Sequence, residues 1–159
     1  MINKNIIIKL IISIFVPLLA GYIGSFFTTP SIPIWYNSLI KPSFTPPSFV
    51  FGPVWTILFI LMGIAFFLVW KKDLKNSNSK KAIGIFFFQL VINILWSVMF
   101  FGLRSPLAGL IVIAVLWLSI LLTIFSFYRI SKLSAYLLVP YILWVSFASC
   151  LNYAIWTLN

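Results

Sequence analysis

The chain has 159 residues, of which 63% are hydrophobic and 8% charged. Soluble domains carry about 25% charged residues, so composition excludes an ordinary water-soluble fold and points to a membrane protein. The net charge of +10 comes from eleven Lys or Arg, one acid (Asp73) and no His; basic loops on one face of a bilayer account for it, and without a soluble domain to carry the charge nucleic-acid binding is disfavoured.

Five apolar stretches are long enough, at about 20 residues each, to cross a ~30 Å hydrocarbon core. They run roughly over 6–27, 47–70, 82–103, 106–128 and 134–157. Alternating strand patterns are absent, which disfavours a barrel. The expected fold is an all-α integral membrane protein. It is a single domain over 1–159, a five-transmembrane-helix bundle with a long proline-rich loop between helices 1 and 2.

The first span holds Pro17, Ala20, Gly21 and Gly24. Pro17 cannot donate its backbone bond and is expected to bend the helix, while Ala20-xxx-Gly24 allows close backbone approach. The apolar run is too long for a cleaved signal peptide, and no small-x-small site follows it. A loop is expected from Thr28 to Pro46, broken by Pro30, Pro33, Pro42 and Pro46. In it Trp35 and Tyr36 suit an interfacial belt. The segment Lys41-Pro42 to Pro46-Pro47 reads as a stiff lid, because proline removes freedom before any ligand arrives. Thr45 as N-cap and Pro46 at the first helical position would start the second helix.

Trp55, Phe59 and Met62 align on the second span, which Pro53 is expected to kink. In the third, Gln89, Asn93, Trp96 and Ser97 fall on one face. Amides are costly in lipid, so this face points into the bundle. It serves either interhelical hydrogen bonding or a ligand-lining wall, and spacing alone leaves both open. Trp117 in the fourth span reads as core or lipid-facing. In the fifth, Tyr141, Trp144, Ala148 and Asn152 share a face, with room left at Ala148 between two rings and an amide. A second row, Ser146, Cys150 and Ala154, suits close helix packing, and Pro140 is expected to kink the helix. Cys150 is the single cysteine, so no intrachain disulfide forms; it reads as a small packing residue.

Counting Lys and Arg by side orients the bundle. Lys4, Lys9, Lys71, Lys72, Lys75, Lys80, Lys81, Arg129 and Lys132 fall on one side, Lys41 and Arg104 on the other. The positive-inside rule then puts the N-terminus in the cytoplasm, the C-terminus outside and the Trp35 segment on the outer face. No span contains Asp, Glu or His. Proton-coupled pumping and a glutamate-centred antiporter are therefore disfavoured, His ligation of a metal or haem iron is excluded, and no acid–base or Ser-His arrangement exists for hydrolysis. No metal and no cofactor is expected. Aromatics, amides, hydroxyls and backbone must do the work.

Three stretches carry a family resemblance: "WYNSLIKPSFTPPSFVFGPVWTILF" (35–59), "FQLVINILWSVMFF" (88–101) and "YLLVPYILWVSFASCLNYAIWTLN" (136–159), preceded by Pro17-xxx-Gly21. With its KPxxxPP block, NxxWS element and PYxxWxxFA…LN ending, the chain resembles the TspO/MBR family (tryptophan-rich sensory protein, translocator protein, peripheral benzodiazepine receptor), as a bacterial member. The resemblance implies a five-helix bundle, often a homodimer, in the bacterial cell membrane, with a pocket opening toward the first loop. It also implies porphyrin ligands such as protoporphyrin IX, and for some members cholesterol or benzodiazepine-type drugs. Carried over by motif, the pocket would include Tyr36, Trp55, Phe59, Asn93, Ser97, Trp144, Ala148 and Asn152. Two departures stand out. Phe44 occupies a position where the family typically has tryptophan. The sterol-recognition pattern of animal members is incomplete, with Leu151 and Tyr153 but no following Lys or Arg; a loose match at Leu122, Tyr128 and Lys132 is of a kind that arises by chance.

The leading expectation is a receptor or carrier for tetrapyrroles or similar hydrophobic molecules, acting in tetrapyrrole handling or stress sensing. Trp55, Phe59, Trp96 and Trp144 would stack on the disc, Asn93, Asn152 and Tyr36 would orient it, and Lys41 would pair with a propionate. An enzymatic alternative, which the overall reading does not favour, is light- and oxygen-dependent porphyrin breakdown with Trp55 and Trp144 as the reactive side chains and the photoexcited ligand supplying most of the chemistry. A structural or interaction protein without a small ligand is the third reading.

Overall fold

The computed structural model of the chain describes residues 4–72 and 77–159; Asp73 and Lys75, both used in the charge reading, lie outside them. With no water in the bilayer core, a chain this apolar satisfies its backbone by forming helices. Five candidate spans result, Lys4–Ile34, Ser48–Trp70, Ser77–Gly102, Pro106–Tyr128 and Lys132–Leu158. The α-helices are α1 (Lys4–Ile34), α2 (Phe51–Trp70), α3 (Ser77–Ser97), α4 (Pro106–Tyr128), α5 (Lys132–Leu137) and α6 (Val139–Leu158). A π-turn over Val98–Gly102 extends α3, and α5 and α6 together make the fifth span.

The boundaries differ from those expected of proline as a helix breaker. α1 runs through Pro30 and Pro33 to Ile34, so the loop starts at Trp35. Each proline forfeits one bond to the carbonyl four residues back, but both lie in the last turns. There Ser31 Oγ donates to the Phe101 carbonyl at 3.0 Å and Trp35 N donates to Ser31 O at 2.9 Å, holding the end in place. Thr45 does not cap α2. Its hydroxyl donates to Pro42 O at 2.8 Å and closes a turn inside the loop, and a 3₁₀ turn at Ser48–Val50 leads into α2 instead. Pro53 sits in the first turn of α2, where its missing N–H would have no partner within the helix anyway, so it breaks no bond of the span's interior. Pro140 likewise lies in the first turn of α6, directly after the interruption at Leu138.

Trp117 is partly buried and packs against the core, and its Nε1 donates to Ser146 Oγ at 2.8 Å, joining α4 to α6. Cys150 departs from expectation: it is exposed on the outside of the bundle rather than packed in a helix contact.

The bundle is solid at one end and hollow at the other. At the α2–α3 end, Phe66 stacks on Phe86 at 5.0 Å and Phe86 on Phe127 at 5.7 Å. Lys72 Nζ donates to the Ile130 carbonyl and ties the C-terminal ends of α2 and α4 together. Nearby α1 and α2 touch backbone to backbone, since a Cβ on Gly63 would lie 2.6 Å from Ile14 Cα and 2.7 Å from Ser13 O. Toward the α1–α2 loop the same helices leave a space.

Candidate ligand pocket

That space is a cavity of about 550 Å³, within the range of about 300–1,000 Å³ usual for small-molecule sites. Tyr36, Trp55, Phe59, Asn93, Trp96, Ser97, Trp144, Ala148 and Asn152 all line it. Lys41 does not. Its Nζ lies 5.0 Å from the centre of the Tyr36 ring and donates to the Asn37 and Leu39 carbonyls, so it stands one side chain behind the wall. Pro42, Pro46 and Pro47 are not wall residues either; from that end Ser48 and Phe49 reach the cavity. Trp35 lines a separate shallow pocket with Arg104 and Trp156, its ring edge-on to Phe100 at 5.4 Å.

One wall is a continuous aromatic surface. Trp55 stacks on Phe59 at 5.6 Å and 28°, and Trp96 on Phe100 at 5.6 Å and 24°. Trp55 and Trp96 are 6.3 Å apart and tilted by 32°. Gly21 makes this wall fit, because a Cβ there would collide with the Phe59 ring.

The polar face of α3 makes interhelical hydrogen bonds and also borders the cavity. Asn93 Nδ2 donates to the Tyr141 hydroxyl at 2.9 Å, and that hydroxyl donates to Gln89 Oε1 at 2.9 Å. Gln89 Nε2 points to Met62 Sδ at 3.8 Å. Gln89, Tyr141 and Met62 are buried below the cavity and do not line it. One turn further along, Trp96 Nε1 donates to Asn152 Oδ1 at 3.2 Å, and Asn152 Nδ2 donates to the Pro106 carbonyl at 2.7 Å. The cavity wall is thus locked to α4 and α6 by its own amides.

Among the described residues the lining contains no charged side chain. Two of its side chains carry buried donors with no acceptor among the described residues, the Tyr36 hydroxyl and Trp144 Nε1. Burial pushes the Tyr36 hydroxyl up to about 12, so it stays a neutral donor at physiological pH. Such a site can stack on a flat apolar molecule and meet an acceptor at its edge; it offers no acid, base or metal ligand. Among the described residues no cluster of His, Cys, Asp or Glu could hold a metal.

Sequence reasoning missed Phe100, Phe101, Leu151 and Ile155, which also line the cavity. Leu151 and Ile155 continue the face of Ala148 and Asn152 at helical spacing and were legible there. Phe101 is placed by the π-turn, for which the sequence carries no clear signal.

The sequence profile of the TspO/MBR family matches residues 13–157. The chain belongs to the TspO/MBR family. It is 48% identical over 153 residues to the tryptophan-rich protein TspO of Archaeoglobus fulgidus, covering 96% of this chain and 98% of that one. A tryptophan-rich protein TspO from Chlorobaculum tepidum is 46% identical over 157 residues, 99% of both chains. The human translocator protein is 37% identical over 145 residues, 90% of this chain and 85% of its own. In this TspO/MBR chain three of seven tryptophans, Trp55, Trp96 and Trp144, line the cavity.

Proposed function

We propose that this TspO/MBR protein is a membrane receptor or carrier for flat hydrophobic ligands of the porphyrin class. The observation that carries the reading is the uncharged cavity of about 550 Å³ walled by Trp55, Phe59, Trp96 and Phe100. Aromatic faces bury a conjugated disc by offset stacking, each pair worth about 0.5–1.5 kcal/mol beyond its burial. Tyr36, Trp144 and Ser97 supply neutral donors for acceptors at the rim of the disc. Lys41, with its Nζ 5.0 Å from the Tyr36 ring, is a cation for a carboxylate left at the loop end. By the positive-inside rule that end faces away from the cytoplasm.

The test is titration of protoporphyrin into the detergent-solubilised protein, followed by quenching of tryptophan emission. A Trp55→Ala, Trp144→Ala double variant removes two stacking partners, about 1–3 kcal/mol. Affinity should fall about five- to 150-fold, with unchanged helical circular dichroism. Full affinity in that variant would remove the pocket assignment.

A further inference from the structure

The cavity is closed on most sides, and the open side is not the loop. From residues 35–47 only Tyr36 lines it, and Tyr36 is 4% exposed. Its ring packs against Phe101 at 5.8 Å and against Phe51 and Phe100 at 6.4 Å. The loop above is clasped to the end of α6: Asn159 Oδ1 accepts from Ile40 N and Asn159 Nδ2 donates to Ile40 O, both at 3.0 Å. On the α3 and α6 walls Asn93, Ser97, Phe100, Ala148 and Asn152 are all buried. The remaining wall is different. Tyr22 and Thr29 on α1, and Phe49, Gly52 and Thr56 at the start of α2, line the cavity and are also exposed on the outside of the bundle. Tyr22 is 61% and Phe49 78% exposed.

Packing explains the gap. α1 and α2 meet at Gly63 and again where Gly21 receives the Phe59 ring; beyond that point Gly24 and Ser25 on α1 and Gly52 and Thr56 on α2 are small and leave the helices apart. A Cβ on Gly52 would meet nothing within 4 Å. Three hydroxyls bordering the gap are spent on their own helices, with Ser25 donating to Tyr22 O, Thr28 to Gly24 O and Thr56 to Gly52 O. Among the described residues the rim holds no charge, and three of its hydroxyl hydrogens are already bonded, so an apolar molecule crosses it with little strong hydration to strip. Tyr22 is three residues past residue 19, the middle of α1 (4–34), so the gap reaches toward the middle of that span.

We infer that the cavity fills sideways from the bilayer through the gap between α1 and α2, and that its occupant is a molecule already dissolved in lipid. The inference builds on the pocket reading above but concerns the route. The loop acts as a fixed roof, and the membrane is the reservoir from which ligand arrives and to which it returns.

Thiol accessibility in liposomes tests this without a ligand. In the full chain, Cys150→Ala removes the native thiol and Ser97→Cys places one on the cavity wall. N-phenylmaleimide, which partitions into lipid, should modify it at least about ten-fold faster than a sulfonated maleimide, after correction for their intrinsic rates. Gly52→Phe and, separately, Thr56→Phe should each slow the apolar reagent by about ten-fold. Asn159→Ala, which undoes the roof clasp, should leave both rates unchanged. Faster labelling by the charged reagent, or acceleration by Asn159→Ala with no effect of either plug, would overturn the side route. Added protoporphyrin reports on the occupant separately. If it fails to protect the thiol while both plugs still slow labelling, the side route stands and porphyrin is not what the cavity holds.

Discussion

Tyr141→Phe isolates the buried polar chain that joins three spans beneath the cavity. The hydroxyl makes two hydrogen bonds of 2.9 Å, accepting from Asn93 and donating to Gln89, and the side chain is completely buried. Phenylalanine keeps the ring and its edge contact with Trp55 at 6.2 Å, so packing is preserved and only the hydroxyl is lost. Interhelical hydrogen bonds in membranes average about 0.6 kcal/mol and reach about 1.7. Two of them give about 1–3 kcal/mol, with the upper end favoured because Gln89 Oε1, buried below the cavity, loses its donor. The assay is reversible unfolding in mixed micelles titrated with dodecyl sulfate, read by far-ultraviolet circular dichroism. Gln89→Leu in both backgrounds completes a double-mutant cycle, and its cost should shrink by about 0.6–1.7 kcal/mol once the hydroxyl is gone. A Tyr141→Phe protein within about 0.3 kcal/mol of the parent, or a strictly additive cycle, would refute the reasoning.

The same unfolding assay should separate two glycines. Gly63→Ala drives a methyl into the Ile14 and Ser13 backbone and should cost about 1–3 kcal/mol or more, whereas Gly52→Ala meets open space and should be neutral or stabilise by up to about 1 kcal/mol. Asn159→Ala should speed deuterium exchange at the Ile40 amide by about five- to 30-fold, as expected for losing about 1–2 kcal/mol of local protection. Tyr36 adds an alkaline limit. Its hydroxyl holds a proton up to about 12 when folded against about 10 unfolded, so the unfolded state loses the proton first. Its contribution is fully present below about pH 10 and is lost as pH rises toward 12; Tyr36→Phe should abolish that part of the slope in unfolding measured at successive alkaline pH values.

Hydropathy and length exposed the five spans because the bilayer sets both. The faces of Asn93–Trp96–Ser97 and Trp144–Ala148–Asn152 were legible because amides and aromatics at helical spacing must turn inward in lipid. What stayed hidden depends on contacts between distant segments. Pro30 and Pro33 read as breakers, but Ser31 bonded to Phe101 and the Trp35 amide keep α1 going past them. Thr45 matched a capping pattern, and whether such a hydroxyl caps a helix or closes a turn depends on where the loop chain lies. Lys41 belonged to the right segment, but the carbonyls of Asn37 and Leu39 hold it outside the wall. Cys150 looked like a packing residue only because the sequence gives no azimuth for its helix relative to the bundle.

The π-turn at Val98–Gly102 acts as a phase shift. An α-helix advances about 100° per residue, so one residue accommodated without breaking the rod re-aims everything after it. Before the turn Trp96 reaches Asn152 on α6; after it Phe100 fills the space at Gly109 on α4 and the Phe101 carbonyl takes the Ser31 hydroxyl of α1. The turn closes with Leu103 N donating to Val98 O, five residues back, at 2.8 Å. One rod is thereby keyed to three neighbours in two angular frames. The spacing of residues across 98–102 is consequently fixed more tightly than their identity: a single-residue deletion there is an error of direction for two phenylalanines, and swapping one apolar side chain for another is only an error of volume.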